Sequence, residues 1–230
     1  IFYKWVALGD SITDDGSTAS EANFPNYSKY YTYSDGTIGD YRFRYTHYAL
    51  HKLRPIVFKN FGIAATAVAE KSSGDATCMS KRYVEMDDDA DLVTVFGGIN
   101  DGWFNVPLGK MGDTGYNTMY GGFETLCKGL REKYPRALIV FITPFHQASN
   151  RYGGTRDVDI ARKVIIEYCE KYGFPYFDAY TMTNIYPKKG GNMSCDPNYY
   201  DVYTVDGIHL NSLGAQKLGY ALGNFILNLI

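Results

Sequence analysis

Short apolar runs alternate with segments of helical period along this chain, and that alternation limits its folds more than any other feature. Strand-sized runs stand at Tyr3–Leu8, Ile56–Phe61, Leu92–Phe96, Leu138–Ile142 and Pro175–Phe177, each ending near glycine, proline or a polar cluster. Between them, Met119, Phe123, Leu126, Cys127 and Leu130 share one helical face, as do Val158, Ala161, Val164, Ile165, Tyr168 and Cys169. A last helix is expected over Leu213–Ile230, with Asn211 or Ser212 as its cap, and an earlier one over Asp40–Leu53. Near-continuously apolar strands alternating with helices require a parallel sheet covered on both faces. The expected fold is α/β: a three-layer α/β/α sandwich on a parallel sheet of about five strands, built as a single domain over residues 1–230. Ligands of such sheets bind beyond the carboxyl ends of the strands, so the working residues are expected in the loops that follow strands.

Composition removes several functions. The net charge is -2 with 21% charged residues and no basic stripe, so no nucleic-acid partner is expected. No apolar run approaches the roughly 18–20 residues of a membrane helix, so no membrane span is expected. Cys78, Cys127, Cys169 and Cys195 form no CxxC pair, which argues against a zinc ribbon or thioredoxin motif, and Cys127 and Cys169 fall on core-facing helix positions. Numbering from Ile1 rather than Met is expected of a segment of a longer product. Tyrosine is abundant, 22 of 230, and much of it falls in loops, which suits either wet loop packing or a sugar-stacking surface. With the missing Met, these loops make a secreted or cell-envelope location the expectation.

Four polar stretches follow strands or precede the last helix: GDSIT at 9–13, NFGI at 60–63, GGIND at 97–101 and DGIHLN at 206–211. Acyl transfer needs a nucleophile, a base, a group that orients the base, and donors for the developing oxyanion. Ser11, in the turn after the first strand, can be the nucleophile. His209 can be the base, and Asp206, three residues earlier, can reach the far imidazole nitrogen and fix its tautomer. The backbone amides of Ser11 and Gly62 and the side-chain amide of Asn100 can supply three oxyanion donors.

Together these stretches resemble the SGNH hydrolase superfamily, also called GDSL lipases or esterases, over almost the whole chain. The resemblance maps onto Ser11 in GDSI, Gly62 in NFGI, Asn100 in GGIND, and Asp206 with His209 in DGIHLN; Ile12 stands where Leu is commonest. It implies a flavodoxin-like sandwich and metal-free hydrolysis of small acyl esters or thioesters, with no cofactor. Each stretch alone has an ordinary structural explanation, as turn, loop or helix-entry residues. Five in order on the right alternation outweigh those explanations. The expected substrate is a short acyl ester, an acetyl group on a carbohydrate above all. A lipase, phospholipase or platelet-activating-factor-acetylhydrolase-like activity is the nearest alternative, and a non-catalytic binding domain the more distant one. The sequence assigns no oligomeric state.

Further residues carry weaker expectations. Asp10 is expected to brace its turn and is a candidate substrate contact. Trp103 and Phe104, directly after Asn100 and Asp101, are candidates for an aromatic wall, and His146 in TPFHQ for a contact to substrate or leaving group. His47 and His51 stand at i and i+4 but lack the HExxH glutamate, so a helix-surface role is expected and no metal site. Asp87, Asp88, Asp89 and Asp91 lack the spacing of a calcium loop and are expected to form a solvated turn. Asp14 and Asp15 are expected to be loop polar residues. No GxGxxG or GxxxxGK[ST] occurs.

Overall fold

The computed structural model describes residues 2–14, 30–32, 38–40, 44–147, 158–185, 202–204 and 208–230. Five strands form one sheet: β1 (Lys4–Gly9), β4 (Val57–Gly62), β5 (Leu92–Phe96), β6 (Leu138–Ile142) and β7 (Tyr176–Phe177). All pair in parallel in the order β4-β1-β5-β6-β7. Counted along the chain, that order is 2-1-3-4-5, the flavodoxin-like arrangement, with its switch point beside β1. A short antiparallel ribbon joins β2 (Tyr30–Thr32) to β3 (Ile38–Asp40). The helices are α1 (Tyr45–Leu53), α2 (Met79–Arg82), α3 (Ile99–Trp103), α4 (Met119–Lys133), α5 (Val158–Tyr172), α6 (Ala179–Met182) and α7 (Ser212–Leu227).

Both faces of the sheet are covered, which accounts for the uninterrupted apolar strands. One core joins Val6, Leu8, Val93 and Val95 to Phe123, Leu126 and Leu130 of α4 and to Val164, Ile165 and Tyr168 of α5. The other joins Trp5, Ala7, Leu92 and Phe96 to Tyr45, Ala49 and Leu53 of α1 and to Leu218, Leu222 and Ile226 of α7. Alternate residues of β1 therefore serve opposite layers, as a period of two dictates. The expected apolar faces are the buried ones except at Val158, which is partly exposed, and Cys127 and Cys169 lie within the first core.

One local expectation needs correction. Asp40 belongs to the β2–β3 ribbon, and the helix begins at Tyr45. The aspartates before β5 lie at the surface as expected, and ion pairs and backbone bonds brace their turn. Lys4 bonds Asp87 at 3.0 Å and Asp89 at 2.5 Å, Lys133 pairs with Asp88, and Asp91 accepts the amides of Tyr3 and Lys4 at 3.0 and 2.8 Å. Among the described residues, no helix is long and apolar enough to cross a membrane.

Candidate active site

The register of the sheet sets the level of the site. Gly9, the last residue of β1, lies opposite Gly62 of β4 and Phe96 of β5, so three of the four polar stretches begin at the same edge. After Gly9 the chain makes one helical turn: the amides of Thr13 and Asp14 donate to Asp10 O at 3.0 and 2.8 Å. Asp10 Oδ1 accepts the Ile12 amide at 3.0 Å, so the side chain caps the turn. Ser11 is the first residue inside that turn, and its amide stays outside these bonds, as first-turn amides do. Gly9 is required by space: a Cβ there would lie 2.1 Å from Thr13 Oγ1 and 2.9 Å from Phe96 O.

The turn is anchored on both sides. Tyr45 at the start of α1 hydrogen-bonds Thr13 through its hydroxyl at 3.0 Å. Asn60 Nδ2 donates to Thr13 O at 2.8 Å, and Asp14 Oδ2 accepts the Ala64 amide at 3.1 Å. Asp14 is thus a buried link between the loops after β1 and β4, more than a loop polar residue. Asp15 and Cys195 lie outside the described residues.

His209 reaches Ser11 from the opposite end of the chain, with Ser11 Oγ and His209 Nε2 2.9 Å apart. Its loop is closed at the base by an antiparallel bridge between Thr204 and Leu210 and by the Asn211 amide donating to Tyr203 O at 3.0 Å. Asn211 also donates to Val202 O at 2.9 Å and caps α7 by accepting from the Gly214 amide at 2.9 Å, so one residue pins the loop and opens the helix. Asp206 lies outside the described residues.

Beyond β5 the chain turns through Gly97 and Gly98 into α3, whose second residue is Asn100. Its Nδ2 donates to Thr66 O at 2.9 Å, which fixes the amide orientation and leaves the second N–H for another acceptor. Asp101 is fully buried and accepts the amides of Val68 and Ala69, both at 2.9 Å, tying α3 to the loop after β4. Burial pushes the Asp101 carboxyl up to about 7, against the pull of those two amides.

Gly62 requires a correction. Its amide donates to Asn60 Oδ1 at 2.8 Å inside the protein, so it is already committed and offers nothing to an oxyanion. The position demands glycine because a Cβ would lie 2.4 Å from Asp14 N. Three residues on, Ala65 holds a left-handed conformation, φ 60°, in a turn closed by the Thr66 amide donating to Ile63 O at 3.3 Å. Ala65 is exposed, and among the described residues its amide has no acceptor. Such a φ is strained for alanine and, unlike a glycine, gives no warning in the sequence.

Arg82 of α2 is the second residue that motif reading passes over. Its guanidinium is buried and donates to Gly9 O at 2.6 Å, Thr66 Oγ1 at 3.2 Å and Thr77 O at 3.0 Å, and also to Phe61 O. One side chain thus ties the ends of β1 and β4 to the Ala65 turn. Burial lowers its pKa to about 10, opposed by the nearby Asp10, and it remains a cation. Asp10 is itself raised to about 6 by burial, with the Ile12 amide, His209 and Arg82 pulling it down. With 1% of its surface exposed, Asp10 is a brace and not a substrate contact.

The remaining candidates lie at the rim. Trp103 is half-buried, and Phe104 is exposed with the Lys71 ammonium 4.9 Å over its ring; Lys71 also donates to Ala65 O at 3.0 Å. His146 packs on Tyr180 of α6, ring centroids 3.4 Å apart and planes tilted by 35°, and burial lowers its pKa. A cavity of about 260 Å³ opens beside α3, lined by residues that include Ile99, Val106, Leu108, Met119 and Ile160.

The model of the GDSL-like Lipase/Acylhydrolase family matches residues 7–217. No curated protein matches the chain. Several solved structures share its fold. A protein from Lactobacillus plantarum is 23% identical, with a TM-score of 0.72 over 100% of this chain and 98% of that one. A possible lipase from Chitinophaga pinensis is 22% identical, with a TM-score of 0.69 over 100% and 99%. An acetylxylan esterase from Geobacillus stearothermophilus is 21% identical, with a TM-score of 0.60 over 97% and 94%. Because the match runs from the strand before Ser11 into the helix after His209, this chain belongs to the GDSL-like lipase/acylhydrolase family.

Proposed function

We propose that the protein is a serine esterase that removes short acyl groups, acetyl above all, from a carbohydrate or similarly polar substrate. The observation that carries the reading is the 2.9 Å contact between Ser11 Oγ and His209 Nε2. In the reaction, Ser11 Oγ attacks the ester carbonyl as His209 Nε2 takes its proton, and the carbonyl oxygen becomes an oxyanion. The tetrahedral species collapses as His209 returns the proton to the leaving alcohol, giving an acyl-serine. Water, deprotonated by His209, then releases the acid and restores Ser11. Asp206 would hold the proton of His209 on Nδ1, so that Nε2 can accept.

The oxyanion donors we assign are the Ser11 amide, the second N–H of Asn100 and the Ala65 amide, which takes the place expected of Gly62. Thr66 joins two of them: its carbonyl holds Asn100 and its own amide closes the turn that presents Ala65. The acetylxylan esterase among the similar folds and the tyrosine-rich loops support a sugar ester. The apolar cavity beside α3 favours a second reading, hydrolysis of longer acyl chains.

A p-nitrophenyl ester series tests the choice. The rate is expected to drop steeply beyond butyrate, and a preference for long chains selects the second reading. A fluorophosphonate is expected to label the wild type once per chain and to leave Ser11→Ala unmodified; labelling of that variant removes Ser11 as nucleophile.

A further inference from the structure

We infer that His47 and His51 form a two-point chelate for a transition-metal dication on the outer face of α1, independent of ester hydrolysis. Helical spacing puts residues four apart on one face, and here their Nε2 atoms come within 3.2 Å. A metal about 2.05 Å from each nitrogen would then subtend an N–M–N angle of about 103°, between the square-planar and tetrahedral values. The separation is therefore already the bite of a chelate.

The surroundings hold the pair in place. Tyr45, Thr46, Ala49 and Leu53 are the buried side of α1, which packs on α7, so the face carrying His51 stays at the surface. Tyr48 sets its ring edge-on to His47, 5.6 Å away at 84°, and His51 packs on His47 with centroids 4.8 Å apart. In the metal-free pair one Nε2 donates its proton to the other. Binding displaces that proton, so that both Nε2 lone pairs face the ion.

The same surroundings select the ion. Lys52 and Arg54 lie close along the chain, and among the described residues no third histidine, cysteine or carboxylate completes a cluster. Two imidazole nitrogens favour borderline ions over the hard, oxygen-seeking Mg²⁺ and Ca²⁺. Ions with high affinity for imidazole do, in the order Cu²⁺ above Ni²⁺ and Zn²⁺, with water filling the remaining positions.

The test is calorimetric titration of the untagged chain with Cu²⁺, Ni²⁺, Zn²⁺ and Mg²⁺ separately, on wild type, His47→Ala, His51→Ala and His209→Ala. The chain has 4 histidines, so the background is small. One Cu²⁺ per chain is expected. Affinity is expected to fall about tenfold or more in each helix variant, to hold in His209→Ala, and to be undetectable for Mg²⁺. Circular dichroism of the variants confirms that α1 is intact. Wild type that binds no Cu²⁺ or Ni²⁺, or affinity unchanged in both helix variants, overturns the proposal. Binding lost only in His209→Ala also overturns it and places the ion at Ser11 and His209.

Discussion

At the scale of single residues, the candidate site depends on which amide hydrogens are still uncommitted. Asn100 has two, of which Thr66 O takes one, so its substitution removes a donor without disturbing an apolar core. Asn100→Ala is expected to lower kcat by about 10²–10³ with little change in KM, since the lost bond is made chiefly to the developing oxyanion. Steady-state kinetics on a soluble acetate ester reads the split; a loss confined to KM would remove Asn100 from the oxyanion donors. Gly62 gives the opposite case. Gly62→Ala keeps the amide but drives a methyl into the Asp14 backbone, so a destabilisation of about 1–3 kcal/mol is expected, measured by urea unfolding. An unaltered midpoint would contradict the close contact between the two loops.

At the scale of elements, loops that carry function are held by a few polar side chains planted in rigid structure. Arg82 reaches from α2 to acceptors at the ends of β1 and β4. Arg82→Met is expected to leave these acceptors unpaired, at about 1–3 kcal/mol each, and to slow fluorophosphonate labelling of Ser11. Arg82→Lys, which keeps the charge but not the fork, is expected to recover part of the stability and little of the labelling rate. A labelling rate equal to wild type in both variants would separate Arg82 from the geometry of Ser11. At the other end of the sheet edge, Asn211→Ala removes the cap of α7 and the tie to Val202. It is expected to cost about 1 kcal/mol in unfolding and also to lower kcat, because His209 lies two residues away. These elements also mark how far the sequence could be read. The strands were legible because burial on both faces leaves an unbroken apolar run. Ser11, Asn100 and His209 were legible because acyl-transfer chemistry restricts residue type. Ala65, Asn60 and Arg82 were not. Their contributions run through backbone geometry and contacts between loops distant in sequence, and an alanine at φ 60° looks like any other alanine. For the same reason Gly62 drew the role of donor, when its glycine answers to packing.

For the whole molecule, three carboxyl groups set opposing pH dependences of stability. Asp178 is held down to about 2 by Arg162, which meets it at 2.9 and 2.6 Å, with help from Thr143 and Thr181. A carboxyl depressed by folding contributes stability above its unfolded value of about 4, and that contribution is lost as pH falls toward about 2. Asp10 and Asp101 behave in the reverse sense. Burial raises them to about 6 and about 7, so the folded chain holds their protons more tightly than the unfolded chain does. Their contribution is complete below about pH 4 and is lost as pH rises through 6 and 7. Where these three groups dominate, stability is greatest in mild acid and declines toward neutrality. Asp10→Asn isolates one of them, because its side-chain oxygen can still accept the Ile12 amide while no longer titrating. The variant is expected to lose less stability than wild type between about pH 4 and 7, by up to about 3 kcal/mol for a shift of roughly two pH units. Urea unfolding of both proteins across that range reads the difference directly. Parallel curves would mean that Asp10 ionises in the folded chain as it does in the unfolded one, and that its burial beside Ser11 carries no electrostatic cost.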